Sequence, residues 1–168
     1  MRNTFLSILV CLPFIISAQV DSSNHYFNMG LFKLFSKDYE TAEKEFSKAI
    51  SHNIKHKQAY NNRGLCRMNM ENLEDAILDF TNALDVDSKF VEARFNRGFC
   101  LYKNRNFETA IKDFDRVIDE SIDFANAFFY RGMSKVSINL FETSCNDIRK
   151  ASNLGHLEAE MASEIFCN

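Results

Sequence analysis

Asn61-Asn62-Arg63-Gly64 returns, little changed, as Phe95-Asn96-Arg97-Gly98 and Phe129-Tyr130-Arg131-Gly132, and a looser copy, Phe27-Asn28-Met29-Gly30, precedes it. The four glycines stand 34 residues apart. Twelve residues after each comes a small residue (Ala42, Ala76, Ala110, Ser144), and four later a large apolar one (Phe46, Phe80, Phe114, Ile148). Ala49, Ala83, Val117 and Ala151 follow at the same register. A constant step of this length is the trace that one supersecondary unit leaves when it is stacked on itself, because no unit can bury its apolar face alone. Within each unit the spacing predicts two helices. Helix A holds the glycine and spans about 24–36 in the first unit; helix B holds the small–large pair and spans about 39–51. Asp38, Asn72 and Asn106 stand where an N-cap side chain would serve helix B. A glycine inside a helix costs about 1 kcal/mol relative to alanine, so its repeated use implies close approach of helices A and B, with the small residues of helix B facing the glycine.

The glycine followed by A-x3-F at this period resembles the tetratricopeptide repeat. The resemblance implies an all-α, right-handed solenoid of four helix-turn-helix repeats, at about 23–56, 57–90, 91–124 and 125–158, closed by a capping helix at about 157–167 that carries Leu157, Met161 and Ile165 at helical spacing. Several positions depart from the family pattern. Ile54, Ser88, Ile122 and His156 stand where a proline usually closes each repeat, and Lys33, Arg67, Leu101 and Lys135 replace an aromatic. Arg63, Arg97 and Arg131 take a place the family usually fills with leucine. A buried guanidinium needs a partner, and one acid precedes each large residue of helix B: Glu45, Asp79, Asp113 and Asp147. Met29 takes the arginine place in the first repeat, which has no predecessor, and this favours pairing between repeats: Glu45 with Arg63, Asp79 with Arg97, Asp113 with Arg131.

In such a stack the A helices line the concave side. Helical spacing then assigns to that wall Phe27, Asn28 and Leu31; Asn61, Asn62 and Leu65; Phe95, Asn96, Phe99 and Tyr102; and Phe129, Tyr130 and Met133. Asn28, Asn62 and Asn96 recur once per repeat, and their amides could give and accept hydrogen bonds along an extended backbone while the aromatics take its side chains. The implied partner is a protein or peptide. The family's carboxylate clamp for chaperone C-termini is not reproduced: Asn62 fits it, but its cationic places hold Phe27, Glu92 and Asn96. A structural subunit or assembly factor of an envelope complex, working through convex or terminal surfaces, is the alternative role.

Composition limits the remaining classes. The chain has 168 residues, 46% hydrophobic, with 17 Phe and no Trp, enough for one packed domain. Its 20 basic and 23 acidic residues offer no field for nucleic acid. Phe5 to Ile16 is almost wholly apolar after Arg2, and Ser17-Ala18-Gln19 forms a short polar exit, the pattern of a signal peptide at 1–18. The apolar run is too short to span a bilayer and contains Pro13. The expected location is therefore exported, periplasmic or extracellular and in part envelope-associated, with no membrane span after cleavage. The style of leader and repeat array also resembles secreted repeat proteins of Bacteroidetes. In an oxidising compartment Cys66 and Cys100 read as small core residues, while Cys145 and Cys167 are open to two readings, a bridge or two free thiols. His52 and His56 lack the third ligand of a metal site, and nothing assembles into nucleophile, base and orienting acid, so no metal, cofactor or catalytic role is expected.

Overall fold

The computed structural model describes residues 22–121 and 124–167, so the expected leader at 1–18 lies outside the described residues. Among the described residues every regular element is a helix, and none is long and apolar enough to cross a membrane. Helix α1 covers 22–35, followed by α2 (Tyr39–His52), α3 (Lys57–Asn69), α4 (Leu73–Val86), α5 (Val91–Lys103), α6 (Phe107–Glu120), α7 (Ala125–Ser137), α8 (Phe141–Asn153) and α9 (Leu157–Phe166). Odd numbers are A helices and even numbers B helices. Each packs chiefly on its neighbours in sequence, and α3, α5 and α7 also approach one another directly. The A helices therefore form the inner, more tightly curved side of the stack.

The glycines do bring helices A and B into close approach, but each meets the large residue of helix B where the small one was expected to face it. A Cβ on Gly30 would stand 2.6 Å from the Phe46 ring, and one on Gly64 would stand 2.8 Å from Phe80. At Gly132 it would meet Ile148 at 2.8 Å. Phe46, Phe80, Phe114 and Ile148 are wholly buried, each beneath an A helix from which the side chain has been removed. The same large residues also carry the joints between repeats, since Cys66 packs with Ala42 and Phe46, and Cys100 with Ala76 and Phe80.

The A–B turns repeat as faithfully. Lys37, Glu71, Arg105 and Asn139, one per repeat, have φ of 60° to 65°, the left-handed conformation that side chains resist. Asp38 then caps α2 by accepting from the Thr41 amide at 3.3 Å, but Asn72 and Asn106 occupy the N-cap position without a side-chain hydrogen bond. Changing Glu71 or Arg105 to glycine removes the left-handed strain but loosens the unfolded chain, with an expected net gain of about 0.5–1 kcal/mol each. Urea melts of the two variants check this, and a loss of stability in both would show the turn to be unstrained.

The far end departs from expectation. The spacing of Leu157, Met161 and Ile165 suggested the covering face of a cap, yet these residues are 86%, 60% and 72% exposed, and α9 instead turns Ala159 and Ala162 inward against Ile148 and Ala151. The reason is room: α9 sits where a fifth A helix would sit, and that interface accepts small side chains, as at Ala59, Ala93 and Ala127. The two readings of the last cysteines resolve to a bridge, with Cys145 and Cys167 disulfide-bonded across a Cα separation of 5.4 Å. Arg149 Nη2 adds a hydrogen bond to the Cys167 carbonyl at 2.7 Å.

Candidate functional site

The candidate site is the A-helix face, and its geometry begins with the arginines that hold the A helices in register. They pair within repeats, not between them. Arg63 Nε and Nη2 donate to Asp79, with Nη2–Oδ1 at 2.6 Å; Arg97 does the same to Asp113 at 2.8 and 2.7 Å; Arg131 Nε meets Asp147 at 2.9 Å. The expected pairs Glu45–Arg63, Asp79–Arg97 and Asp113–Arg131 are therefore corrected by one repeat, and Glu45 pairs locally with Lys48. Asp147, expected to be left over for the cap, holds Arg131 and Lys135. The physical reason lies one residue away: because each glycine is pressed on its own B helix, the arginine beside it reaches that same helix. The expected link between repeats exists in another form. The remaining nitrogen, Nη1, extends to the preceding B helix, from Arg63 to Ser47 at 3.1 Å, Arg97 to Thr81 at 3.2 Å and Arg131 to Asp115 at 2.6 Å. Each guanidinium thus ties three helices. Asp79, Asp113 and Asp147 are buried; the hydrogen bond to Asp113 raises the pKa of Arg97, while at Arg131 burial lowers the pKa and Asp147 and Asp115 more than offset it.

Against this frame the expected groove residues separate into two groups. Asn61 and Phe129 are 8% and 6% exposed and belong to the interior. Asn61 Oδ1 accepts from Asn96 Nδ2 at 3.0 Å, and Phe129 lies under the His156 ring at 4.1 Å. Their place, three residues before the glycine, faces the next A helix and not the groove. The N-cap residue of that next helix covers it: His56 on Phe27 at 4.6 Å, Phe124 on Phe95 at 4.8 Å, His156 on Phe129. Rings at His56, Phe90 and Phe124 repeat with the 34-residue step and were the signal that sequence reasoning passed over. The asparagine ladder is also broken, since Asn96 spends its amide on Asn61; Asn62 stays half-buried and Asn28 exposed.

The surviving wall is one apolar residue per repeat directly after the glycine: Leu31, Leu65, Phe99 and Met133. Beside it lies an aromatic hub around Tyr130, which meets Phe99 at 4.8 Å, Tyr102 at 5.4 Å and Phe129 at 5.2 Å between ring centroids. Burial raises the pKa of both Tyr102 and Tyr130, and the nearby Glu158 adds to it, so both phenols remain donors at neutral pH. The thiols of Cys66 and Cys100 are buried, and desolvation pushes both up to about 12. In the chain from Gln19 onward neither should react with a maleimide near pH 8, while the unfolded, unreduced chain should take up two labels. Labelling of the native chain, read by mass spectrometry, would contradict the packed joints. No group of three or more His, Cys, Asp or Glu residues among the described residues could hold a metal ion.

With the stack and its face described, comparison with known proteins is direct. A tetratricopeptide-repeat family model matches residues 58–90 and a second matches residues 25–52. The fold is a tetratricopeptide-repeat solenoid. Comparison with curated protein sequences finds no significant match. Among solved structures, YrrB, described as a tetratricopeptide-repeat protein with an unusual peptide-binding site, superposes with a TM-score of 0.79 at 20% identity, covering 94% of this chain and 88% of its own. MamA superposes at 0.81 with 18% identity, covering 86% and 80%. The first tetratricopeptide-repeat domain of Spaghetti (RPAP3), solved bound to an HSP90 peptide, gives 0.70 at 16% identity, with 71% and 95% covered. At these identities the likeness establishes the tetratricopeptide-repeat architecture and indicates no catalytic family.

Proposed function

We propose that this protein is an exported interaction scaffold that holds an extended peptide or protein segment along its A-helix face. The observation that carries the reading is the recurrence of Leu31, Leu65, Phe99 and Met133 at one step per repeat on the inner side of the stack, next to the partly exposed Asn62 amide. The inner radius brings successive A helices close, so a segment laid across them meets an apolar contact at each repeat. Amides at its margin can satisfy the segment's backbone. Solved proteins of the same fold that hold peptides support the class of partner. The wall's light charge argues for an uncharged or apolar segment in place of the acidic tail that a carboxylate clamp would take. Exposed apolar residues off the A helices, Leu78 on helix α4 at 55% and Ile54 in the loop before α3 at 71%, favour the second reading, an assembly factor working through its convex or terminal surfaces.

Affinity capture from the envelope fraction of the source cell, with the chain from Gln19 as bait, separates the two. Asn62→Ala with Leu65→Ser is expected to lose the captured partner while keeping the wild-type helical content and a cooperative melt, shifted down because Leu65 also packs on the core around Phe80. Equal capture by the variant, with loss in Ile54→Ser, Leu78→Ser, would move binding to the convex surface. N-terminal sequencing of the native protein from the same fraction is expected to begin at Gln19; a start at Met1 would overturn export by cleavage.

A further inference from the structure

Helix α9 presents a surface that its capping role does not use. Repeat arrays end in polar caps because their last face meets water, yet Leu157, Met161 and Ile165 are 86%, 60% and 72% exposed. Four residues apart, they stand one above another along about 12 Å of helix. The register of α9 shows what this stripe adjoins. Met161 follows the N-cap His156 by five residues, as Phe95 follows Phe90 and Phe129 follows Phe124. In the stack, Phe95 and Phe129 are covered by the N-cap ring of the next A helix. Beside Met161 no such helix lies among the described residues. The stripe therefore lies on the face that earlier A helices turn toward the next one, and α9 is held in place by the Cys145–Cys167 bridge and the hydrogen bond from Arg149.

Charge says what kind of helix fits. Glu158 and Glu160 flank the stripe, one on each edge, and α9 contains no basic residue. We infer that the outward face of α9 docks an amphipathic helix of a partner protein, with aliphatic residues three and four apart and lysine or arginine on both flanks, which packs on α9 as one A helix of the stack packs on the next. The stripe adjoins the last part of the A-helix wall, with Ile165 at the register of Phe99 and Met133 and Glu158 near Tyr102 and Tyr130, but it does not include Asn62 or Leu65.

The test uses the disulfide-bonded chain from Gln19 and a labelled synthetic peptide about 18 residues long, five turns of helix, with leucines along one face and lysines on both flanks. A second peptide carries glutamates in place of the lysines. Fluorescence anisotropy should show binding of the basic peptide only, at least about tenfold weaker in Leu157→Ser, Met161→Ser, Ile165→Ser, a change of about 1.4 kcal/mol or more. Glu158→Gln with Glu160→Gln should weaken binding at low salt and make no difference at high salt. Met161→Lys alone provides a milder variant if the triple change disturbs folding. Unchanged affinity in these variants, or equal binding of the acidic peptide, would overturn the site. So would stripe-dependent self-association in sedimentation, which would give the face to a second copy, or stripe-dependent binding to phosphatidylcholine vesicles in place of the peptide, which would give it to a membrane surface.

Discussion

Arg97→Met should lower the unfolding free energy by about 3–5 kcal/mol, because it strands a buried carboxylate. Asp113 is 4% exposed, and its side-chain hydrogen bonds come from Arg97 alone among the described residues. Methionine keeps much of the volume and the aliphatic stem, so the loss reports the unpaired charge and not a cavity. Arg63→Met and Arg131→Met should cost less. Asp79 retains Arg67 at 3.0 Å, and Asp147 retains Lys135 at 2.7 Å. Adding Asp113→Leu to Arg97→Met should restore most of the stability, since a dry apolar pair avoids the desolvation that the ion pair must overcome. Urea melts of the four chains decide the matter. A single Arg97→Met variant within about 0.5 kcal/mol of the wild type would mean that water reaches the carboxylate.

The second large effect joins a ring to a missing side chain. Phe80→Ala deletes a wholly buried ring at the joint with Cys100, and such truncations cost about 3–5 kcal/mol. Gly64→Ala should also destabilise the wild type, because its Cβ would stand 2.8 Å from that ring and overpacking costs about 1–3 kcal/mol against a gain of about 1 kcal/mol in helix propensity. In the Phe80→Ala background the clash is gone, so Gly64→Ala should stabilise by about 1 kcal/mol. The sign change is the diagnostic. A Gly64→Ala effect of the same sign in both backgrounds would show that the glycine serves backbone conformation and not close approach.

The sequence carried the repeat and the helix pairs clearly, because period and apolar spacing are local properties. Gly64 could be set against helix B from spacing alone, but against its small residues; that Phe80 is what presses on it is a fact of packing. The arginine partners could not be fixed that way: Asp79 and Glu45 sit at identical positions in successive repeats, so Arg63 has two candidates that differ only in which helix it leans on. Met29 suggested the wrong one. What decides is the direction of a side chain adjacent to the glycine, a tertiary fact. Asn61 and Phe129 were misplaced for a related reason, since a helix in a stack has three neighbours and a groove, and the residue three before the glycine lies on the boundary between the last two. The aliphatic stripe of α9 was read as a buried face because apolar spacing reports amphipathicity without saying which side meets water.

The arginine staples also give the molecule a direction in time. Each reaches its own B helix and the one before it, never the one after. During synthesis from the N-terminus, an emerging A helix finds one of its anchors, Ser47, Thr81 or Asp115, already placed on a finished repeat, and needs only its own B helix to complete the set. Growth from the other end would leave each guanidinium held by its own B helix alone until the preceding repeat arrived. The staples thus favour accretion in the order in which the ribosome delivers the chain.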